Sequence, residues 1–230
     1  MELLVSPSSL EEAKLSLSAD IIDVKRPAEG SLGANFPWVI HSIKAIAGEK
    51  PVSAAIGDFP AKPGSAALAA YGAACAGADY IKIGLFFADH DDARQVIHAV
   101  VNAVKPKFPE KTVVIAAYSD YERLNTISPF DMALIAAEEG ADVSMVDTGI
   151  KDGKSTFAFM DESSLSSFTR ENRRLSMKTA LAGSLKFEDL PLLRRIDPEI
   201  IGVRGMVCGG DRSSSINPVL VEKALELIRC

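Results

Sequence analysis

Eight short apolar runs alternate along this chain with eight segments of helical period. The runs are Leu3–Ser6, Asp20–Lys25, Val52–Asp58, Tyr80–Leu85, Val113–Tyr118, Val143–Thr148, Thr179–Ser184 and Ile200–Gly205. The segments between them are Ser9–Ser18, Asn35–Ala47, Gly64–Ala76, Asp91–Val104, Pro129–Glu139, Glu162–Leu175, Phe187–Ile196 and Pro218–Arg229. Run starts recur about every thirty residues, the length of one βα unit. Runs that are apolar almost throughout read as parallel strands covered on both faces. Local signals mark several helix ends. Asn217-Pro218 pairs an N-cap with proline at the first helical position, and Ser9 and Glu12 have capping-box spacing. Gly77 and Gly140 follow periodic segments as helix stops do. No linker or composition break divides residues 1–230. The sequence therefore predicts one α/β domain, a (β/α)8 TIM barrel. An open doubly wound sheet is the runner-up, but no GxGxxG or GxxxxGKS/T motif supports it.

Composition narrows the function classes. Lys and Arg number 25 against 31 Asp and Glu, a net charge of −6, which argues against nucleic-acid or membrane-surface partners. Cys75, Cys208 and Cys230 form no CxxC pair, so neither a disulfide framework nor a zinc site is expected. The start of the chain has no basic, then apolar, leader pattern. A cytoplasmic enzyme without metal or organic cofactor is the expectation. Cys75 reads as core, Cys230 as a tail, and Cys208 as a strand-8 loop residue within reach of substrate that nothing visibly activates. His41, His90 and His98 lack metal-ligand spacing and read as surface residues.

In a barrel the active site lies at the C-terminal ends of the strands. Strand 2 ends Asp23-Val24-Lys25, strand 4 contains Lys82 between Ile81 and Ile83, and strand 6 ends Asp147-Thr148 with Lys151 just beyond. A lysine within an apolar strand is cheaper to place inward at the mouth than under the helices. Asp23 and Lys25 are two apart and share a face. For a pair of lysines beside carboxylates in a partly dry pocket, the like charge and desolvation each lower a lysine's pKa, so one can be a neutral amine that attacks a carbonyl. The resulting Schiff base is an electron sink, and a second lysine or a carboxylate moves protons. Spacing alone leaves Lys25, Lys82 and Lys151 all eligible as nucleophile. The ends of strands 7 and 8 carry Gly183-Ser184, Arg204-Gly205 and Gly209-Gly210. Small residues there let backbone N–H groups approach a phosphate.

The stretch Asp23-Val24-Lys25-Arg26-Pro27-Ala28-Glu29-Gly30-Ser31-Leu32-Gly33-Ala34-Asn35-Phe36-Pro37-Trp38 strongly resembles the signature of the (5-formylfuran-3-yl)methyl phosphate synthase family. Ala78–Leu85, Asp147–Lys154, Ala180–Ser184, Gly202–Gly205 and Gly209–Arg212 match it as well. The resemblance implies a (β/α)8 barrel that condenses two molecules of glyceraldehyde 3-phosphate. Water and one phosphate are lost, and the furan phosphate feeds methanofuran-type cofactor biosynthesis. It also implies that Lys25 is the Schiff-base lysine and Lys82 the proton relay. Asp23, Asp147 and Lys151 match further active-site positions. The strand-7 and strand-8 residues Gly183, Ser184, Arg204, Gly205, Gly209 and Gly210 would hold substrate phosphate.

Other readings fit the residues without that resemblance. They are a class I aldolase, a sugar-phosphate isomerase working by acid–base chemistry, and a phosphoester-binding barrel without turnover. Exposed barrel helices often pair, so a homo-oligomer is compatible with the sequence.

Overall fold

The computed structural model describes residues 1–229; Cys230, read above as a tail, lies outside the described residues. Eight parallel strands form a closed barrel in sequence order. They are β1 (Glu2–Val5), β2 (Ile21–Val24), β3 (Val52–Phe59), β4 (Tyr80–Leu85), β5 (Thr112–Tyr118), β6 (Val143–Asp147), β7 (Lys178–Leu181) and β8 (Ile200–Val203). β8 returns to β1 and closes the cylinder, pairing Glu2 with Ile200 and Val5 with Val203. The outer layer comprises α1 (Leu10–Leu15), α2 (Pro37–Ala47), α3 (Pro63–Cys75), α4 (His90–Val104), α5 (Tyr121–Leu124), α6 (Pro129–Glu138), α7 (Glu162–Arg174), α8 (Leu190–Ile196) and α9 (Pro218–Arg229). The predicted (β/α)8 barrel is the fold observed. No helix among the described residues is long and apolar enough to cross a membrane.

The strands read as apolar runs because both of their faces are buried. One set of side chains, including Val24, Ile81, Ile83, Ile115 and Val146, packs outward under the helices. The alternate set, including Leu4, Ile21, Val114, Met145 and Ala180, fills the barrel interior. Burying a side chain of this size contributes about 1.5–3 kcal/mol. This double burial leaves few inward positions for polar groups, so each polar one stands out.

Several boundaries differ from the sequence reading. β7 and β8 stop at Leu181 and Val203, short of the expected Ser184 and Gly205. Gly183 and Ser184 have φ of +95° and +50°, a left-handed backbone that cannot continue a strand. α1 spans only Leu10–Leu15, and the single turn α5 is too short to show a period. Ser9 Oγ accepts the Glu12 N–H at 3.2 Å, as capping-box spacing predicts. The Glu12 carboxylate accepts from Ser8 instead of returning to Ser9. Cys75, expected in the core, is exposed. α3 is apolar nearly all round, and its buried face is the alanine stripe Ala66, Ala70, Ala73 and Ala74. A helix without a polar face gives no sign of which side packs.

Candidate active site

The site grows out of three strands. Alternation on β2 points Ile21 and Asp23 into the barrel, and Lys25 follows on the same side at the strand end. β4 sends Lys82 inward between the outward-packed Ile81 and Ile83. β6 ends on Asp147, and Lys151 reaches back to it from the following loop. Asp23 and Lys82 form an ion pair at 2.7 Å. The Ser6 and Ser53 hydroxyls donate to the same carboxylate at 2.8 and 2.7 Å. Lys151 Nζ donates to Asp147 at 2.6 Å and to Thr148 Oγ1 at 3.1 Å. The loop bearing Lys151 is itself anchored, because the buried Asp120 carboxylate accepts the N–H groups of Gly149 and Ile150 at 2.7 and 3.0 Å.

Lys25 differs from the other two lysines. Its side chain is buried to 7% exposure, lines the cavity and has no ion pair or side-chain hydrogen bond among the described residues. Burial pulls its pKa down from the ordinary 10.5 to about 8. Asp147 and Asp23 oppose that shift, while Lys82 and Lys151 add to it. The carboxylates respond in the opposite sense. Burial alone would raise Asp147, but Lys151 and Lys25 outweigh it and hold the acid at about 2. Asp23 is likewise pushed up by burial and brought below the ordinary value by Lys82 and Lys25. The set is therefore two ionised carboxylates, each paired with a lysine, and one unpaired amine that is easily deprotonated.

Lys25, Lys82, Asp147 and Lys151 line a cavity of about 600 Å3 at the C-terminal end of the barrel, with Asp23 buried behind them. Its far wall is built from the β7 and β8 loops, with Gly183, Ser184, Gly205, Gly209 and Gly210 on its surface. The N–H groups of Gly183, Ser184 and Gly205 have no partner among the described residues. Gly183 must be glycine, since a Cβ there would crowd the Thr148 backbone nitrogen at 2.9 Å. Arg204 lines the cavity, but its guanidinium is already engaged. It donates to Glu12 at 2.9 and 3.2 Å, to the Ser6 carbonyl at 2.7 Å and to the Arg212 carbonyl at 2.8 Å. Its observed contacts shape the strand-8 loop. Arg212, which sequence reasoning did not single out for the site, also lines the cavity and has no ion pair among the described residues. Its only sequence signal was a place in the Gly209–Arg212 stretch.

Cys208 is buried, and burial pushes its thiol pKa up, so it is not an activated nucleophile. His41, His90 and His98 are exposed, away from this cavity. Among the described residues no group of three or more His, Cys, Asp or Glu is placed to hold a metal ion.

A model of the 4-HFC-P synthase family matches residues 3–225. The chain belongs to that family. The (5-formylfuran-3-yl)methyl phosphate synthase of Methanosarcina mazei is 60% identical over 227 residues, which are 97% of each chain. That of Archaeoglobus fulgidus is 49% identical over 233 residues, 99% of each chain. In three dimensions, orotidine 5'-monophosphate decarboxylase from Methanocaldococcus jannaschii superposes with a TM-score of 0.70 at 16% identity. The match covers 100% of this chain and 99% of the decarboxylase. That likeness concerns the barrel alone. The resemblance carried by Asp23–Trp38 is thus confirmed, and the 4-HFC-P synthase family extends from β1 into α9 of this fold.

Proposed function

We propose that this member of the 4-HFC-P synthase family condenses two molecules of glyceraldehyde 3-phosphate through an imine on Lys25. The product is (5-formylfuran-3-yl)methyl phosphate, for methanofuran-type cofactor biosynthesis. The observation that carries the reading is the state of the three lysines. Lys82 and Lys151 each spend their charge on a carboxylate, whereas Lys25 faces the cavity unpaired with a pKa of about 8. About a tenth of such an amine is neutral at pH 7, far more than for an ordinary lysine.

The Lys25 amine adds to the aldehyde of one triose phosphate and expels water, giving the imine. The imine nitrogen acidifies the neighbouring carbon. Loss of that proton, assisted by Lys82, leaves an enamine. The enamine carbon attacks the aldehyde of the second triose phosphate and forms the new C–C bond. Asp23, Asp147 and Lys151 then move protons for dehydration, phosphate loss and ring closure. Hydrolysis of the imine returns the Lys25 amine. Two trioses balance the furan phosphate, one orthophosphate and two waters, so no oxidant or reductant is consumed. The β7 and β8 loops bind the retained phosphate through Gly183, Ser184, Gly205, Gly209 and Gly210, with Arg204 shaping the loop. The unpartnered N–H groups of Gly183, Ser184 and Gly205 and the glycine-rich backbone support that role, while Gly209 and Gly210 donate to the Gly205 carbonyl and shape the turn.

Borohydride trapping tests the covalent step. Enzyme incubated with glyceraldehyde 3-phosphate and reductant should gain one substrate-derived mass on the peptide carrying Lys25. Absence of that adduct, in enzyme that still releases orthophosphate, rules out the imine.

A further inference from the structure

The mouth of the barrel is asymmetric. The cavity-lining residues come from β1, β2, β4, β6, β7, β8, the loops after them and the α9 residues Leu220 and Lys223, and none comes from β3 or β5. The loop after β2 closes that side. It curls back on itself through the Arg26 N–H to Gly33 carbonyl bond at 2.9 Å. This fold drops Leu32 into the barrel, where it is fully buried and clusters with interior residues such as Ala55 and Ala116. The Ser31 hydroxyl donates to the Thr148 carbonyl at 2.8 Å and ties the same loop to the end of β6.

Asp58 holds Leu32 in place. Its two carboxylate oxygens accept the Leu32 N–H at 3.0 and 3.3 Å, and one of them accepts the buried Tyr118 hydroxyl. Simple alternation on β3 would turn Asp58 outward, because Ala55 faces inward. A bulge between Ala55 and Asp58 shifts the register, so that Asp58 rather than Gly57 pairs with Gly84. The extra residue re-aims the carboxylate into the mouth. Gly84 completes the arrangement. A Cβ there would collide with the Tyr118 hydroxyl and come within 2.9 Å of both Asp58 and Leu32. Three strands and one loop thus converge on a contact that does not touch the cavity.

We propose that Leu32 is a plug held by a clasp of Asp58 and Tyr118. These three positioning residues close the β3–β5 half of the mouth, so that both phosphorylated substrates reach Lys25 from the β7–β8 half. The proposal rests on Lys25 being the reacting amine. The charged neighbours of that amine are Asp23 on β2, Lys82 on β4, Asp147 on β6 and Lys151 beyond it, and closure of the β3–β5 half of the mouth limits the water that reaches it. Opening the plug rehydrates Lys25 and removes part of the desolvation that favours its neutral form.

Competitive labelling of the free enzyme with a small acylating reagent across pH, read by peptide mass, reports the pH at which Lys25 becomes reactive. In Leu32→Ala that midpoint should rise by about half a pH unit or more toward the ordinary lysine value. Leu32→Met, which conserves volume, should label like the unaltered enzyme. In Leu32→Ala the acid limb of kcat/KM should shift the same way, and kcat should fall by roughly tenfold to a hundredfold. KM for glyceraldehyde 3-phosphate should change less than about threefold, because the phosphate-holding loops are untouched. Tyr118→Phe, lacking only the hydroxyl of the clasp, should move the labelling midpoint in the same direction. It replaces Leu32→Ala if that variant does not fold. An unchanged Lys25 midpoint in the folded variants overturns the plug. Borohydride trapping on the unaltered enzyme separates the two ideas. If it fails, the imine is wrong whatever the labelling shows. If it succeeds and the variants label and turn over normally, only the plug is wrong.

Discussion

Lys82 Nζ and Asp23 Oδ1 meet at 2.7 Å inside the barrel, and neither side chain is more than 2% exposed. The pair has no solvent to fall back on. Its carboxylate is completed by Ser6 and Ser53, so the whole group is fixed before any substrate arrives.

Removing one partner should therefore cost more than removing both. Lys82→Met leaves Asp23 charged and uncompensated, and unfolding in urea should show a loss of about 3–5 kcal/mol. Adding Asp23→Asn to that variant should recover part of the loss. Neither form should make product. Equal stability for the single and double variants would refute the argument.

Lys25 should work against stability at neutral pH. Its folded pKa of about 8 lies below the ordinary 10.5, so between these values the unfolded chain binds more protons. Stability contributed by this group is lowest below about pH 8 and rises toward pH 10.5. Lys25→Met should be inactive yet more stable at pH 7, by an amount on the order of 1–3 kcal/mol. Thermal melts of the two proteins at pH 7 and pH 10 should converge as pH rises.

The same amine should govern activity. Only its neutral form attacks an aldehyde, so kcat/KM should climb with pH, reach half its maximum near pH 8 and level off above that, following the free-enzyme amine. A profile whose acid limb lies near pH 6 would assign the rate to another group.

Asp147 sets an acid limit. Its folded pKa of about 2 lies below the ordinary 3.8, so its contribution is complete above pH 3.8 and is lost as pH falls toward 2. Asp147→Asn should flatten this part of the acid-unfolding curve. The two proteins should differ least at the lowest pH. A constant difference across pH 2–5 would show that the pair with Lys151 is not what titrates.

Glu12 should matter to phosphate binding although it lies in α1. It holds Arg204, and Arg204 holds the Arg212 carbonyl of the strand-8 loop. Glu12→Gln should raise KM for glyceraldehyde 3-phosphate by roughly tenfold, the equivalent of one charge-assisted hydrogen bond. kcat should change far less, because Lys25 keeps its surroundings. Steady-state kinetics decides between these outcomes.

The barrel was legible because parallel strands buried on both faces must be apolar, and that constraint is written residue by residue. Lys82 was legible for the same reason, as a charge where only apolar groups belong. The convergence of Asp23, Lys25, Lys82 and Asp147 followed from alternation and strand parity, and the structure brings them together at one mouth. Which lysine stays unpaired could not be read, since pairing depends on a few ångströms of side-chain reach. Arg204 was legible as a cavity residue, but not its pairing with Glu12, which stands 192 residues away. Nothing local announces such a contact. The Asp58 clasp was hidden because a bulge reverses the alternation from which facing is inferred. Cys75 was misplaced because α3 has no polar side to mark its exposed face.

The closing seam between β1 and β8 also imposes an order on synthesis. Ser6 accepts from Arg204 across 198 residues, and every β1–β8 pairing spans a similar distance. At typical translation rates of about 5–20 residues per second, roughly 10–40 seconds separate the emergence of the two edges. Throughout that interval β1 can pair with β2 on one side only, and its other edge must be kept from foreign partners. The loop that carries Gly205, Gly209 and Gly210 emerges with the last strand. A nascent chain therefore acquires its binding wall and its final edge partner together, and no shorter piece of it can hold substrate while it waits.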